Sequence, residues 1–338
     1  MSESNGEGKS PERERGTEPR AILITANYNG VLALWNVEEA NWSIMDSKCP
    51  ANPSHDYAIN KIIISEDRRF LAAACSNGLR LYSIGDKKIL EKSFVEDKAN
   101  VTALGWSANG DWIFYSTEAG SLMFYDFRKS YKYELYRQEE DITCACLNPN
   151  QVEIFFGDTT GHIKIYSLET KNVKLTLNST KNAALRCIAI SSDGSFLCAG
   201  NDMGSVFLWN LRAQDNLFEC KDFKCHENII LSLKISASNR YVIASSADKT
   251  LGIFEFRQES GLGNFKQYFG HTGWVWDFEL HSDECHLISV STDGCMIIWN
   301  IQNAKLVKKI VQSASTDKCA KDNRDISKRG YISIALKS

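Results

Sequence analysis

The sequence predicts an all-β fold, a ring of seven four-stranded blades closed by the C-terminal strand. Three observations carry that expectation. A unit of forty-odd residues returns seven times, a large aromatic anchors each return, and the connections are too short and too rich in Gly, Asn and Ser to hold helices.

The repeated unit is an apolar run, a tight turn and a second run that ends in the aromatic. The second runs read VLALWNV, GLRLYSI, SLMFYDF, HIKIYSL, SVFLWNL, TLGIFEF and CMIIWNI. Their anchors are Trp35, Tyr82, Tyr125, Tyr166, Trp209, Phe254 and Trp299, at spacings of 47, 43, 41, 43, 45 and 45 residues. Four short strands with their turns need about 40–45 residues. The preceding runs are AILITA, FLAAAC, WIFYST, EIFFGD, FLCAGN, YVIASS and HLISVS. Between each pair stand residues that tolerate positive φ, among them Asn29-Gly30, Asn77-Gly78, Asp248-Lys249 and Asp293-Gly294.

Six inner strands stand upstream of these runs: INKIIIS, VTALGWS, ITCACLN, LRCIAIS, ILSLKIS and VWDFELH. Seven blades need a seventh. The C-terminal YISIALKS, residues 331–338, supplies it by slotting in front of AILITA. The first blade is then built from both chain ends, and no sheet edge or face is left open at the seam. Polar outer strands such as KYELYR and LVKKIV suit the rim. The propeller is expected to span residues 21–338. Residues 312–329, QSASTDKCAKDNRDISKR, read as a polar insertion, either a solvated loop or a partner-contact loop.

Composition limits the function. The 338 residues are 43% hydrophobic and 24% charged, with a net charge of −3 and a pI near 6.1. Nucleic-acid binding needs a concentrated basic surface and is not expected. No apolar run approaches a bilayer span, so no membrane insertion is expected. Residues 1–20 lack the apolar segment of a secretory signal and read as a disordered tail. Eleven cysteines, many inside FLAAAC, ITCACLN and FLCAG, fit reduced core residues of a cytoplasmic protein. A metal site would have to use Cys144 with Cys146, or Cys220 with Cys225 and His226. Neither has a second ligand pair at zinc-like spacing, so neither metal nor cofactor is expected.

The repeat form resembles the WD-repeat propellers, although Gly270-His271 is the one clear Gly-His pair ahead of an inner strand and no repeat ends in Trp-Asp. In that family a His, a Ser or Thr, an Asp and the Trp form a buried hydrogen-bond relay. The resemblance places it on His271, Ser289, Asp293 and Trp299, as a structural device and not a hydrolase triad. No catalytic residue is expected.

Particular stretches narrow the likeness. ITCACLNPNQVEIFFGDTTGHIKIYSLET and GWVWDFELHSDECHLISVSTDGCMIIWN resemble blades four and seven of the G-protein-β-like (Lst-eight) subunits of target-of-rapamycin (TOR) kinase complexes. ITANYNGVLALW, FLAAACSNGLRLY and YVIASSADKTLGIFEF resemble other blades of the same family. The resemblance implies a non-catalytic scaffold. It would bind and stabilise the catalytic region of a phosphatidylinositol-kinase-like protein kinase, beside other TOR-complex subunits, in the cytoplasm or on endomembranes through its complex. By analogy the contacts are Trp274, Tyr28, Ala58 and Thr292. Trp274 stands just outside the alternation of VWDFEL; packing over a neighbouring blade is its other reading, and Trp276 is assigned to the core between blades. The alternative function is another WD-repeat adaptor, in a chromatin, coat or ubiquitin-ligase complex.

Overall fold

The computed structural model describes residues 22–27, 30–36, 41–45, 58–84, 90–95, 99–180, 182–212, 220–257, 261–311 and 330–337. The expected tail at 1–20, the insertion at 312–329 and Tyr28 lie outside the described residues. Every regular element among the described residues is a strand, and together they form seven four-stranded antiparallel sheets. Among the described residues no helix is long and apolar enough to cross a membrane.

Blade 1 holds β1 (Ile22–Asn27), β2 (Leu32–Asn36) and β3 (Asn41–Met45). Blade 2 holds β4 (Ile59–Ile64), β5 (Phe70–Cys75), β6 (Gly78–Ser83) and β7 (Leu90–Val95). Blade 3 holds β8 (Val101–Trp106), β9 (Trp112–Thr117), β10 (Ser121–Asp126) and β11 (Tyr131–Arg137). Blade 4 holds β12 (Ile142–Leu147), β13 (Glu153–Asp158), β14 (His162–Ser167) and β15 (Asn172–Asn178). Blade 5 holds β16 (Leu185–Ile190), β17 (Phe196–Asn201), β18 (Ser205–Asn210) and β19 (Cys220–Lys224). Blade 6 holds β20 (Ile230–Ile235), β21 (Tyr241–Ser246), β22 (Leu251–Arg257) and β23 (Gly261–Tyr268). Blade 7 holds β24 (Val275–Leu280), β25 (His286–Ser291), β26 (Cys295–Asn300) and β27 (Lys305–Val311). The last strand, β28 (Tyr331–Lys337), returns to blade 1 as its inner strand, in the order β28-β1-β2-β3.

The middle strands are buried on both faces because each sheet lies between two others. All six residues of β10 and of β17 are buried, whereas β27 is exposed at every position but one. The core divides into seven apolar clusters, and each joins two neighbouring blades. The seven aromatic anchors are all buried. At the hairpins joining the second and third strands, positive φ falls on Gly in six blades and on Lys249, at 75°, in the sixth.

Closure is a full antiparallel ladder, with Ile22 opposite Lys337 and Asn27 opposite Tyr331. Ser333 and Ile334 are wholly buried, and the Tyr331 ring meets Trp35 edge-on at 6.1 Å. Deleting residues 331–338 exposes the inner edge of blade 1 and the apolar faces of blades 7 and 2. The shortened chain is expected to aggregate or to unfold at markedly lower denaturant than the full chain, measured by solubility and denaturation midpoint; an unchanged midpoint would refute closure by β28.

Candidate docking site

Each inner strand carries a one-residue bulge just after its start, where the register with the next strand shifts. The extra residue leaves the ladder and faces the axis of the ring. In blades 2 to 7 it is Asn60, Thr102, Thr143, Arg186, Leu231 and Trp276; in blade 1 the shift in β28 falls at Ile332. All seven line a central cavity of about 340 Å³. Leu231, Trp276 and Ile332 give it an apolar wall, while Asn60, Thr102 and Thr143 oppose them with amides and hydroxyls. Arg186 is held by a two-point ion pair to Asp202. Trp276, assigned by its alternation to the core between blades, is therefore a channel residue. The bulge shifts the facing of every residue after it.

Asp277 follows that bulge and has a 2% exposed side chain. Its carboxylate accepts from Lys61 Nζ at 3.0 and 3.1 Å, from Ser232 Oγ at 2.8 Å, from Ser333 Oγ at 2.8 Å and from the Ile334 N–H at 3.3 Å. Burial alone would raise its pKa; the Lys61 and Lys234 charges and the two serine hydroxyls outweigh burial and lower it. Cys144 and Cys187 also line the cavity. Burial pushes the Cys144 thiol up to about 12 and Cys187 well above its ordinary value. Both are thiols at neutral pH, with little thiolate to act as nucleophile.

One face of the ring is made by the starts of the inner strands and the hairpins between second and third strands. Trp274 lies there, 44% exposed, one residue before β24. Its N–H donates to Thr292 Oγ1 at 2.9 Å, and the Thr292 N–H donates to its carbonyl at 3.1 Å. The indole rests beside the Trp276 ring, 5.8 Å between centroids. Thr292 is exposed on the β25–β26 hairpin. Ala58 holds the matching position before β4, but it is only 9% exposed and its carbonyl is taken by the Ser76 N–H. It offers almost no side-chain surface. Two apolar side chains that the sequence reading did not single out share this face, Met203 on the β17–β18 hairpin and Phe269 after β23, 55% and 70% exposed.

The four relay residues form one hydrogen-bonded chain. Trp299 Nε1 donates to Ser289 Oγ at 2.8 Å, Ser289 Oγ stands 2.8 Å from His271 Nε2, and His271 Nδ1 stands 3.0 Å from Asp293 Oδ2. Gly270 is required beside it, since a Cβ there would meet the Trp299 ring at 2.8 Å. Burial would raise the Asp293 carboxyl; His271 and the Thr272 and Cys295 N–H groups hold it well below the usual carboxylate range. Ser289 is wholly buried. Blade 6 carries a shortened copy: His226 Nδ1 stands 2.9 Å from Asp248 Oδ2 and 3.1 Å from Thr250 Oγ1. Ala244 and Phe254 take the places of Ser289 and Trp299, and His226 Nε2 has no hydrogen-bond partner among the described residues. In the sequence Cys225 hides this His, yet both pairs are separated by 22 residues, the signal that would have found it. Blade 1 keeps the other half, with Trp35 Nε1 donating to Thr25 Oγ1 at 2.8 Å.

Comparison with known proteins agrees with the repeat. A family described as "WD domain, G-beta repeat" matches residues 263–300, which hold all four relay residues. One described as "Vps8 beta-propeller" matches residues 136–268. Among curated proteins, "Target of rapamycin complex subunit wat1" of Schizosaccharomyces pombe is 26% identical over 69% of this chain and 74% of its own. "Protein LST8 homolog" of Drosophila melanogaster is 25% identical over 78% of this chain and 83% of its own. This chain is a seven-bladed β-propeller with a WD-repeat match, and it resembles the LST8 subunits. "Target of rapamycin complex subunit LST8-1" of Arabidopsis thaliana, 26% identical over 76% of this chain and 83% of its own, extends the likeness to a third kingdom.

Replacing Ser289 by Ala leaves the His271 Nε2 and Trp299 Nε1 positions facing no partner, and is expected to cost about 1–3 kcal/mol in chemical denaturation. Asp293→Asn is expected to show a pH-dependent loss. A folded carboxyl held below its unfolded value of about 3.9 adds stability that is complete above that value and vanishes as pH falls through the folded pKa. The gap in stability between wild type and Asp293→Asn is therefore full at pH 7 and shrinks below about pH 4; a gap constant down to pH 2 would contradict it.

Proposed function

We propose that this LST8-like propeller is a non-catalytic scaffold subunit of a TOR kinase complex, docking on the catalytic region of the kinase and stabilising it. The likeness across most of the chain to proteins named as TOR complex subunits carries this reading. The geometry supports it. A ring of rigid sheets presents Trp274, fixed by two hydrogen bonds to Thr292, with Met203 and Phe269 on the same face. Large apolar side chains on a stiff surface are typical interface anchors, because little conformational freedom is lost on binding. Buried thiols and a sealed relay support the non-catalytic part. The chemistry would belong to the partner, and the subunit would act by differential contact with its active state. Cytoplasmic residence follows from that assignment. Tyr28 remains part of the proposed surface by analogy, with Trp274 and Thr292 at its centre; Ala58 would contribute only as backbone.

A second reading, another WD-repeat adaptor, is favoured by the Vps8 propeller match over residues 136–268. Pull-down separates the two. The full chain is expected to capture the TOR kinase catalytic region, and Trp274→Ala to weaken capture by about 2 kcal/mol, roughly 30-fold, with the denaturation midpoint nearly unchanged. Failure to capture the kinase would turn the assignment to the second reading. A large loss of stability would place Trp274 in the core.

A further inference from the structure

The closing strand meets the docking face at its first residues. Gly330 leads into β28 pressed against the β25–β26 hairpin, where a Cβ would collide with the Thr292 backbone. Thr292 in turn holds the Trp274 N–H. The start of β28, the hairpin and the exposed indole are thus in direct succession, with no other element between them.

From inside the ring the same strand is hooked by Asp277. This carboxylate belongs to blade 7, yet its partners are Ser333 and Ile334 of blade 1, Lys61 of blade 2 and Ser232 of blade 6. Ser333 Oγ also accepts from the Ile62 N–H at 3.2 Å, so it is held by both neighbours at once. β28 is not consecutive in the chain with the other three strands of its blade. Its retention rests on the ladder with β1, on apolar packing, and on this ionic hub. Asp277 is the common acceptor for all of these donors, so changing it loosens every contact of the hub, whereas removing one hydroxyl loosens only part of it.

We propose that Asp277 is the latch of the ring: it retains β28 from the channel side, and seating of β28 sets the position of the Thr292–Trp274 turn on the outer face. Closure and docking are then coupled, and each stabilises the other by the same factor. The coupling to a partner rests on the docking reading above; the latch itself does not.

Hydrogen exchange of the full-length chain, resolved by peptide, tests both parts. In Asp277→Asn, exchange is expected to rise at least tenfold in residues 331–337, 22–27 and 291–294, and to stay unchanged in β12 to β18. Ser333→Ala, which keeps the charges and removes one hydroxyl, is expected to show the same pattern at smaller amplitude, and serves if the first variant does not fold. A rise spread evenly over all blades, one confined to β24, or none would overturn the latch. Adding the TOR kinase catalytic region to the wild-type chain is expected to slow exchange in 331–337. Binding that leaves this strand unchanged would overturn the coupling. Absence of binding would count against the docking reading alone, with the variants still deciding the latch.

Discussion

The structure depends on one constraint: every blade is apolar on both faces. A sheet buried on one side only can end against water, but these sheets need a neighbour on each side, and only a closed ring gives all seven two neighbours. The seven apolar clusters, each spanning two blades and none confined to one, are that constraint seen as packing. It explains why the inner strand of blade 1 comes from the far end of the chain. Sharing one blade between β1 and β28 converts a seam that packing alone would hold into one closed by a ladder of backbone hydrogen bonds.

The same crowding governs the polar groups. A buried donor without a partner is costly, so each blade must satisfy or remove what it buries. Blade 7 satisfies Trp299 through Ser289 and His271. Blade 1 keeps the Trp35–Thr25 pair. Blade 6 removes the indole by using Phe254 and the hydroxyl by using Ala244, while His226 and Asp248 persist because they fasten the loop before β20 to the hairpin after β21. Blades 7, 1 and 6 keep or lose anchor and hydroxyl together, whereas blade 5 keeps Trp209 with Ala199 in the place of the hydroxyl. The His–Asp clasp of blade 6 anchors backbone.

These differences explain what the sequence made legible. Blade number, strand order and the closing strand rest on a period and on apolar runs, which survive substitution of Trp by Tyr or Phe. The relay in blade 7 was legible because all four of its residues are present. The clasp in blade 6 was obscured by Cys225 in place of Gly. Trp276 was misplaced because strict alternation cannot register a bulge, and a single extra residue reverses inside and outside. Asp277 looked like one more acid in VWDFEL. Its partners stand 216, 45 and 56 residues away, and nothing local in a sequence marks a contact made across the axis of a ring.

Position along β24 ties these features to function. Within four consecutive residues the chain presents an exposed Trp to the outer face, buries a Val in the blade interface, turns a second Trp into the channel and fixes a carboxylate among three other blades. A surface side chain usually reports only on its own loop. Here the indole stands three residues from the hub that gathers blades 6, 1 and 2, and its turn is packed by the residue that starts the closing strand. A partner that grips Trp274 would therefore pull on the ring seam itself, whereas one that gripped the blade 3 rim, where Tyr131 is exposed, would touch a sheet whose strands are all consecutive in the chain. That difference is a physical reason for docking to favour blade 7: contact there would bear, through the hub, on blade 1, the one blade whose strands are not all consecutive in the chain.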